Sequence, residues 1–313
     1  MGLLRPALHL SAALLLFCGT ACSSILGEHE PPLEEADVQA PVEPLVFLPD
    51  LLQAQDRTLL PEPVFQKAMD ALGAGDPRQA SILLNGLRDR APHHLELARL
   101  HAWALLQSGD ARAAVKELTA FSRDQGGDDA GLAYVMAHAL WELGRKAESA
   151  PWFRKVLETR PNDLALLEKA AQASYAAGDG AFAVRAIDRI LVRQPLTPGL
   201  ALMRARALAV DGRWEPSLAL YDRLLLDRGD DSAFWDEAGL VAFQSALAGG
   251  KPVQFRAAAG YFQRAIQIAP QDARIQYNLA CCLDWSGNHP AAVEAYERAI
   301  ELQPDYWKAV ENL

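Results

Sequence analysis

The sequence of 313 residues predicts an all-α fold built from repeated pairs of helices, and three observations support this prediction. Glycines recur every 34 or 35 residues, at Gly75, Gly109, Gly144, Gly178 and Gly212. Two proline pairs keep a period of 34 residues, Pro161 with Pro195 and Pro270 with Pro304. Between these residues the apolar positions recur at intervals of three and four, which indicates two amphipathic helices per unit, joined at the glycine.

Composition and charge limit the classes of function. The chain has 40 acidic and 30 basic residues, a formal net charge of −10 and a pI near 5.2, which argues against binding nucleic acid through spread charge. Half of the residues are hydrophobic, as in folded proteins. Only four cysteines are present, and two of them lie within the first 22 residues, so a disulfide scaffold is excluded. Stability must therefore come from apolar packing.

The N-terminal residues 1–21 have the features of a secretory signal peptide. A single basic side chain, Arg5, precedes an apolar run from Ala7 to Phe17. This run has about eleven residues, fewer than the ~20 that a membrane-spanning helix needs. The segment therefore predicts export of the chain.

Small residues surround Cys22 in the stretch Gly19-Thr20-Ala21-Cys22-Ser23-Ser24. This stretch resembles the lipobox of bacterial lipoproteins. The resemblance implies that Cys22 becomes the mature N-terminus and carries a lipid, and that Ser23 directs the protein to the outer membrane, facing the periplasm. The alternative is an ordinary cleaved signal that releases an unmodified protein into the periplasm.

Residues 22–60 form an acidic, proline-rich segment. Between Ser23 and Asp56 there are eight acidic residues and neither Lys nor Arg, with five prolines. Such a stretch buries too little apolar surface to order itself, which predicts an extended tether. Its apolar patch, Pro44–Leu48, either docks on the first repeat or binds a partner.

The last full unit carries the most specific pattern, with Asn278-Leu279-Ala280, Gly287-Asn288, Ala292, Tyr296, Ala299 and Pro304. This pattern resembles the tetratricopeptide repeat (TPR) superfamily. The resemblance implies a right-handed α-solenoid of about seven helix-turn-helix units within 61–306, followed by a truncated C-terminal cap at 307–313. The units are expected at 61–94, 95–129, 130–163, 164–197, 198–231, 232–272 and 273–306. The sixth contains a seven-residue insertion, around Ala246 to Pro252, which should lengthen its hairpin.

Two positions in each unit must be small if the paired helices are to approach closely, and the sequence satisfies both. Position eight holds Ala68, Ala102, Ala137, Ala171, Ala205, Gly239 and Ala280. Position twenty holds Ala80, Ala114, Ser149, Ala183, Ser217, Ala258 and Ala292. The fourteen small residues make the prediction of repeated helix pairs specific.

In TPR proteins, five positions of each first helix face a concave groove and contact ligands. The resemblance therefore implies a peptide-binding groove lined by Phe65, Arg99, Trp103, Tyr134, His138, Trp141, Tyr175, Arg206, Phe243, Tyr277 and Trp285. Arg99 and Arg206 are the candidates for pairing with an acidic group of a partner. Position twelve is partly structural in this family, so some of these rings are expected to pack on the next unit instead.

No short motif predicts catalysis, a cofactor or a metal site. Gly249-Gly250-Lys251 lacks the first glycine of a phosphate loop, and His93-His94 lacks further ligands at metal-binding spacing. The expected function is a non-enzymatic, membrane-anchored periplasmic scaffold. It would bind peptide segments of envelope proteins and support complex assembly, for example of secretin or cell-wall machinery. The alternative is a structural component that self-associates through its C-terminal end.

Overall fold

A computed structural model of the chain describes residues 62–125 and 129–313. The predicted signal peptide, Cys22 and the acidic tether lie outside the described residues. Within the described ranges the chain forms helices and no strands. The helices are α1 (Glu62–Gly73), α2 (Pro77–Arg88), α3 (Leu95–Gln107), α4 (Ala111–Gln125), α5 (Ala130–Glu142), α6 (Lys146–Thr159), α7 (Leu164–Ala176), α8 (Gly180–Leu191), α9 (Pro198–Val210), α10 (Trp214–Leu225), α11 (Ser232–Gly249), α12 (Pro252–Ile268), α13 (Ala273–Trp285), α14 (His289–Leu302) and α15 (Trp307–Asn312).

These helices divide between two compact units. The N-terminal unit comprises the described residues up to 178 together with 185–194, and the C-terminal unit comprises 179–184 and 195–313. Odd-numbered helices from α1 to α13 are the first helices of successive repeats, and even-numbered helices are the second. Consecutive helices pack on each other from α1 to α7 and from α9 to α15, and first helices of adjacent repeats also meet, as α3 does with α5 and α11 with α13.

The turn between the two helices of a repeat depends on its glycine. Gly109 has a φ of 90°, a left-handed conformation that side chains with a Cβ rarely adopt. The N–H of Gly109 donates to the Leu106 carbonyl at 3.0 Å, which closes α3. The next residue, Asp110, then accepts the Ala113 N–H at 2.9 Å and caps α4. One Gly-Asp pair thus ends the first helix and begins the second.

The sixth repeat has a longer hairpin than its neighbours, as the seven-residue insertion predicts. Helix α11 has 18 residues and α12 has 17, whereas α9 and α10 have 13 and 12. Gly250, with a φ of 66°, makes the turn between α11 and α12. The insertion therefore extends both helices of the hairpin.

All fourteen predicted small positions are buried. Gly239 shows why size matters, because an added Cβ there would lie 2.7 Å from Cε1 of Phe262 on the paired helix. Side chains of α1 to α3 form one apolar core, and those of α3 to α5 form the next. The structure thus confirms the predicted fold class, an all-α array of helix-turn-helix units. In the described ranges, no helix has the length and apolar character needed to cross a bilayer.

Candidate functional site

The structure places every predicted groove residue on a first helix. Phe65 lies on α1, Arg99 and Trp103 on α3, Tyr134, His138 and Trp141 on α5, Tyr175 on α7, Arg206 on α9, Phe243 on α11, and Tyr277 and Trp285 on α13. Phe65 and Tyr175 are half-buried. The remaining rings form one cluster in the N-terminal unit and two groups in the C-terminal unit.

In the N-terminal unit, five rings form a continuous cluster, which we call the ring cluster: Trp103, Tyr134, His138, Trp141 and Phe153. The Tyr134 ring lies 5.9 Å from Trp103 and 4.4 Å from His138, between ring centroids. Phe153, on the second helix α6, lies 5.5 Å from His138 and 5.8 Å from Trp141. Phe153 has no place among the predicted groove residues because it belongs to a second helix.

Trp103 supports this cluster from within the core. Only 6% of Trp103 is exposed, and its ring belongs to the apolar core of α3, α4 and α5. By contrast, Tyr134 and Trp141 are half-buried and reach the surface. The sequence places Trp103 at a ligand-contacting position, whereas in the structure the surrounding helices cover it.

Lys169, on α7, joins the ring cluster, although sequence reasoning did not single it out. Its Nζ lies 5.5 Å from the centroid of the Trp141 ring and 3.4 Å from Nδ1 of His138. Burial lowers the pKa of Lys169, and the charge of Glu142 opposes this effect. Lysine is common on helix surfaces, so the sequence gives no signal that marks this one.

His138 is a buried, neutral imidazole. Only 5% of it is exposed, and burial together with the charge of Lys169 lowers its pKa from 6.5 to about 3. Because Nδ1 faces an ammonium group, it must accept a hydrogen bond, which leaves the proton on Nε2. The buried Nε2 has no hydrogen-bond partner among the described residues. Burial also raises the pKa of Tyr134 to about 12, so the neighbouring phenol keeps its proton.

Arg99 is paired with Asp129, which caps the first helix of the following repeat, and Arg206 is paired with a carboxylate within the following repeat. Nη1 of Arg99 donates to both carboxylate oxygens of Asp129, at 3.0 and 3.1 Å. Nε and Nη2 of Arg206 donate to Glu237 at 2.6 and 2.9 Å, and Glu237 also accepts from the Tyr221 hydroxyl at 2.7 Å. The sequence makes both arginines candidates for pairing with an acidic group of a partner, and in the structure both already hold carboxylates of this chain.

A third such pair lies on α11 and α13. Asp236 is buried and accepts hydrogen bonds from Arg274 and, at 3.0 Å, from Nδ2 of Asn278. Burial raises the pKa of Asp236, and its two partners act against this. The buried carboxylate therefore joins repeats rather than serving as a free reactive group.

In the C-terminal unit, Trp285 presents an exposed indole. Its ring is 52% exposed and stacks on Phe255 with 5.5 Å between centroids and 21° between planes. Phe243 packs against the same Phe255 ring, edge to face, at 5.5 Å. We call these three rings the aromatic ledge. Tyr277 forms a separate group with Tyr296 and Tyr306, at 5.9 and 5.3 Å.

Metal-binding and thiol chemistry find little support in the part of the chain that the structure describes. No group of three or more His, Cys, Asp or Glu residues there could hold a metal ion. Cys281 and Cys282 are not in a disulfide, and burial raises the pKa of the Cys282 thiol, which disfavours the reactive thiolate.

Family models for the tetratricopeptide repeat match residues 99–163 and 273–306. No curated protein matches the sequence. Similar solved structures include MamA protein, 16% identical over 57% of this chain and 94% of that chain, with a TM-score of 0.44. YrrB, described as a TPR protein with an unusual peptide-binding site, is 17% identical over 62% of this chain and 96% of its own, with a TM-score of 0.45. The C-terminal part of a TPR protein from Cytophaga hutchinsonii is 12% identical over 80% of this chain and 99% of its own, with a TM-score of 0.47. The two family matches identify residues 99–163 and 273–306 of this chain as tetratricopeptide repeats.

Proposed function

We propose that this chain is a non-catalytic scaffold that binds peptide segments of partner proteins on the first helices of its repeats. The observation that carries the proposal is the aromatic ledge, where an exposed indole stacks on the buried Phe255 ring, which in turn packs against Phe243. Tryptophan is enriched among the residues that dominate protein interfaces, since one rigid ring supplies a large contact area at low entropic cost.

The ring cluster supports the same function in the N-terminal unit. Tyr134 and Trp141 are half-buried there, and the ammonium group of Lys169 lies beside them. Aromatic area next to a few polar groups is typical of protein interfaces, where rings provide affinity and polar groups fix the register of the bound chain. Each unit therefore carries its own candidate peptide-binding surface.

Photo-crosslinking from the aromatic ledge tests this function. A photoreactive phenylalanine at position 285, in the organism that encodes the chain, is expected to give discrete crosslinked products with partner proteins. The same group in place of Val293 is the matched control, because Val293 is 40% exposed but lies on the second helix α14. We expect no discrete product from position 293. Equal products from both positions, or none from 285, would contradict binding on the first helices.

A second candidate function is self-association through α15. Trp307 is 65% exposed, and Val310 on the same short helix is exposed as well. The crosslinking experiment separates the two candidates. Self-association would give a dimer-sized product from a photoreactive group at position 307, and that product would contain only this chain.

We further propose that the scaffold is a lipoprotein of the cell envelope, anchored to the outer membrane and facing the periplasm, where it supports the assembly of envelope complexes such as secretin or cell-wall machinery. The support is in the sequence, where an apolar run is followed by small residues around Cys22. The acidic, proline-rich residues 22–60 would separate the repeats from the membrane.

The intact mass of the membrane-extracted protein tests the anchor. We expect a chain that begins at Cys22 and carries a diacylglyceryl group. Cys22→Ser removes the sulfur that receives the lipid, so this variant should be left unprocessed or released without a lipid. An unmodified wild-type chain cut at another residue would overturn the lipid anchor and leave a protein free in the periplasm.

A further inference from the structure

Lys169 differs from the other inward-facing cations of the repeats. Arg99 holds Asp129, the N-cap of α5, while Arg206 and Arg274 each hold a carboxylate of a neighbouring repeat. The groups within contact distance of Lys169 are instead the neutral imidazole of His138 and the indole of Trp141. Among the described residues, no carboxylate lies within ion-pair distance of its Nζ, and exposed Glu142 acts on it only from further away. Among the described residues, the close contacts of this half-buried ammonium are therefore with neutral rings, and Glu142 offsets its charge only from a distance.

A second ammonium group increases the local positive charge. Nζ of Lys146, on α6, lies 5.3 Å from the centroid of the same Trp141 ring. One half-buried indole thus lies against two ammonium groups, those of Lys146 and Lys169.

His138 orients Lys169 but cannot neutralise it. Its only lone pair, on Nδ1, faces the ammonium group at 3.4 Å, and its other nitrogen carries a proton. The polar group that lies beside the Trp141 ring is therefore the Lys169 ammonium, a hydrogen-bond donor. A half-buried ammonium group binds a charged acceptor more strongly than a neutral one.

From this geometry we propose that Lys169, oriented by His138 and lying against Trp141, binds the side-chain carboxylate of an acidic residue in a partner peptide. This proposal rests on the proposed peptide-binding function and assigns the chemistry of the ligand. A neighbouring apolar residue of the peptide would pack on the accessible part of the Trp141 ring.

A side-chain carboxylate fits better than the C-terminus of a peptide. Chain-terminal carboxylates are commonly held by backbone N–H groups in a concave turn. Lys169 and His138 lie in the middle of α7 and α5, where backbone N–H groups are bonded within the helix. The site therefore offers one flexible ammonium group, which suits an internal Asp or Glu.

Three hexapeptides, two with a blocked C-terminus and one with a free C-terminus, test the proposal. Each peptide is titrated into the full chain, and calorimetry measures its affinity. They are Ac-Ala-Leu-Glu-Phe-Leu-Ala-NH2, the same peptide with Gln in place of Glu, and the Gln peptide with a free C-terminal carboxylate. We expect the Glu peptide to bind about ten-fold more tightly than the blocked Gln peptide, with a preference that shrinks in high salt.

Two variants assign this preference to Lys169. Lys169→Gln should bind the Glu and blocked Gln peptides equally, while Lys169→Arg should keep part of the preference. Lys116→Gln is the matched control, since Lys116 is exposed on the second helix α4, and it should behave as wild type. Circular dichroism verifies that each variant is folded.

Four results would overturn the assignment. They are equal affinity of wild type for the Glu and blocked Gln peptides, a preference retained in Lys169→Gln, tighter binding of the free-terminus Gln peptide, and a Glu-peptide Kd above about 1 mM. A further variant tests whether the chain's own N-terminal segment competes for the site. In it, the eight acidic residues within 23–56 are changed to Asn or Gln, and peptide binding is measured again. Tighter peptide binding by that chain would mean that its own acidic segment, not a partner, occupies the site.

The two proposals can fail separately. If the Glu and blocked Gln peptides bind wild type equally, the carboxylate site is wrong and peptide binding stands. If position 285 gives no crosslinked product, the scaffold function loses its support, whatever the hexapeptides show.

Discussion

Gly180→Ala is expected to destabilise the C-terminal unit by about 3 kcal/mol or more, a large effect for one added methyl group. A Cβ on Gly180 would lie 2.5 Å from the Ala207 carbonyl oxygen, 2.5 Å from the Asp211 nitrogen and 2.9 Å from the Val210 carbonyl carbon. These are backbone atoms at the end of α9, and they cannot rotate away as a side chain could. The start of α8 and the end of α9 would have to separate. Urea unfolding followed by circular dichroism measures the loss.

The control for this variant is Gly260→Ala, in the middle of α12. An added Cβ there meets no atom within 4 Å, and Gly260 does not have a positive φ. Alanine favours the helix over glycine by about 0.5–1 kcal/mol, so this variant should be slightly more stable than wild type. Similar losses in the two variants would show that the contact with α9 is not the cause.

The second large effect concerns His138 and pH. In the folded chain, burial and Lys169 lower the pKa of His138 to about 3, whereas in the unfolded chain it is near 6.5. Below pH 6.5 the unfolded state therefore binds a proton that the folded state excludes. Stability should fall by about 1.4 kcal/mol per pH unit, or about 2 kcal/mol at pH 5, and should keep falling toward pH 3. Urea unfolding at pH 7 and pH 5 measures this loss.

His138→Gln should remove most of this pH dependence, because glutamine cannot bind the proton and still offers Lys169 an oxygen acceptor. Of the groups that face His138, Lys169 stays protonated and Tyr134 stays neutral throughout this pH range. If His138→Gln lost as much stability between pH 7 and pH 5 as wild type, other groups would have to explain the loss.

The helix pairs and their close contacts could be predicted from the sequence because each depends on one residue type at a fixed spacing. Gly109 ends its helix because glycine readily adopts the left-handed conformation of the turn. Ala102 and Ala114 are small, so the two helices of the repeat can pack closely, whatever residues surround them. Such requirements recur once per repeat and are visible without coordinates.

The charges of the candidate site could not be predicted in the same way. The carboxylates paired with Arg99 and Arg206 lie 30 and 31 residues further along the chain. Lys169 and His138, which are in contact, are 31 residues apart in sequence. Whether a cation is paired depends on which acidic residue of the next repeat reaches it, and periodicity does not contain this information. Trp103 is a similar case, because its helical position fixes its direction but not how far α4 and α5 cover it.

The ion pairs between repeats also bear on how the chain folds. Arg88 pairs with Glu117, Arg99 with Asp129, Arg206 with Glu237 and Arg274 with Asp236, across 29, 30, 31 and 38 residues. Each of these ion pairs joins residues that are close in sequence, so loop closure costs little entropy and the contact order is low. Each repeat can dock on its predecessor as soon as it leaves the ribosome, and folding can start within either unit and spread to the adjacent repeats.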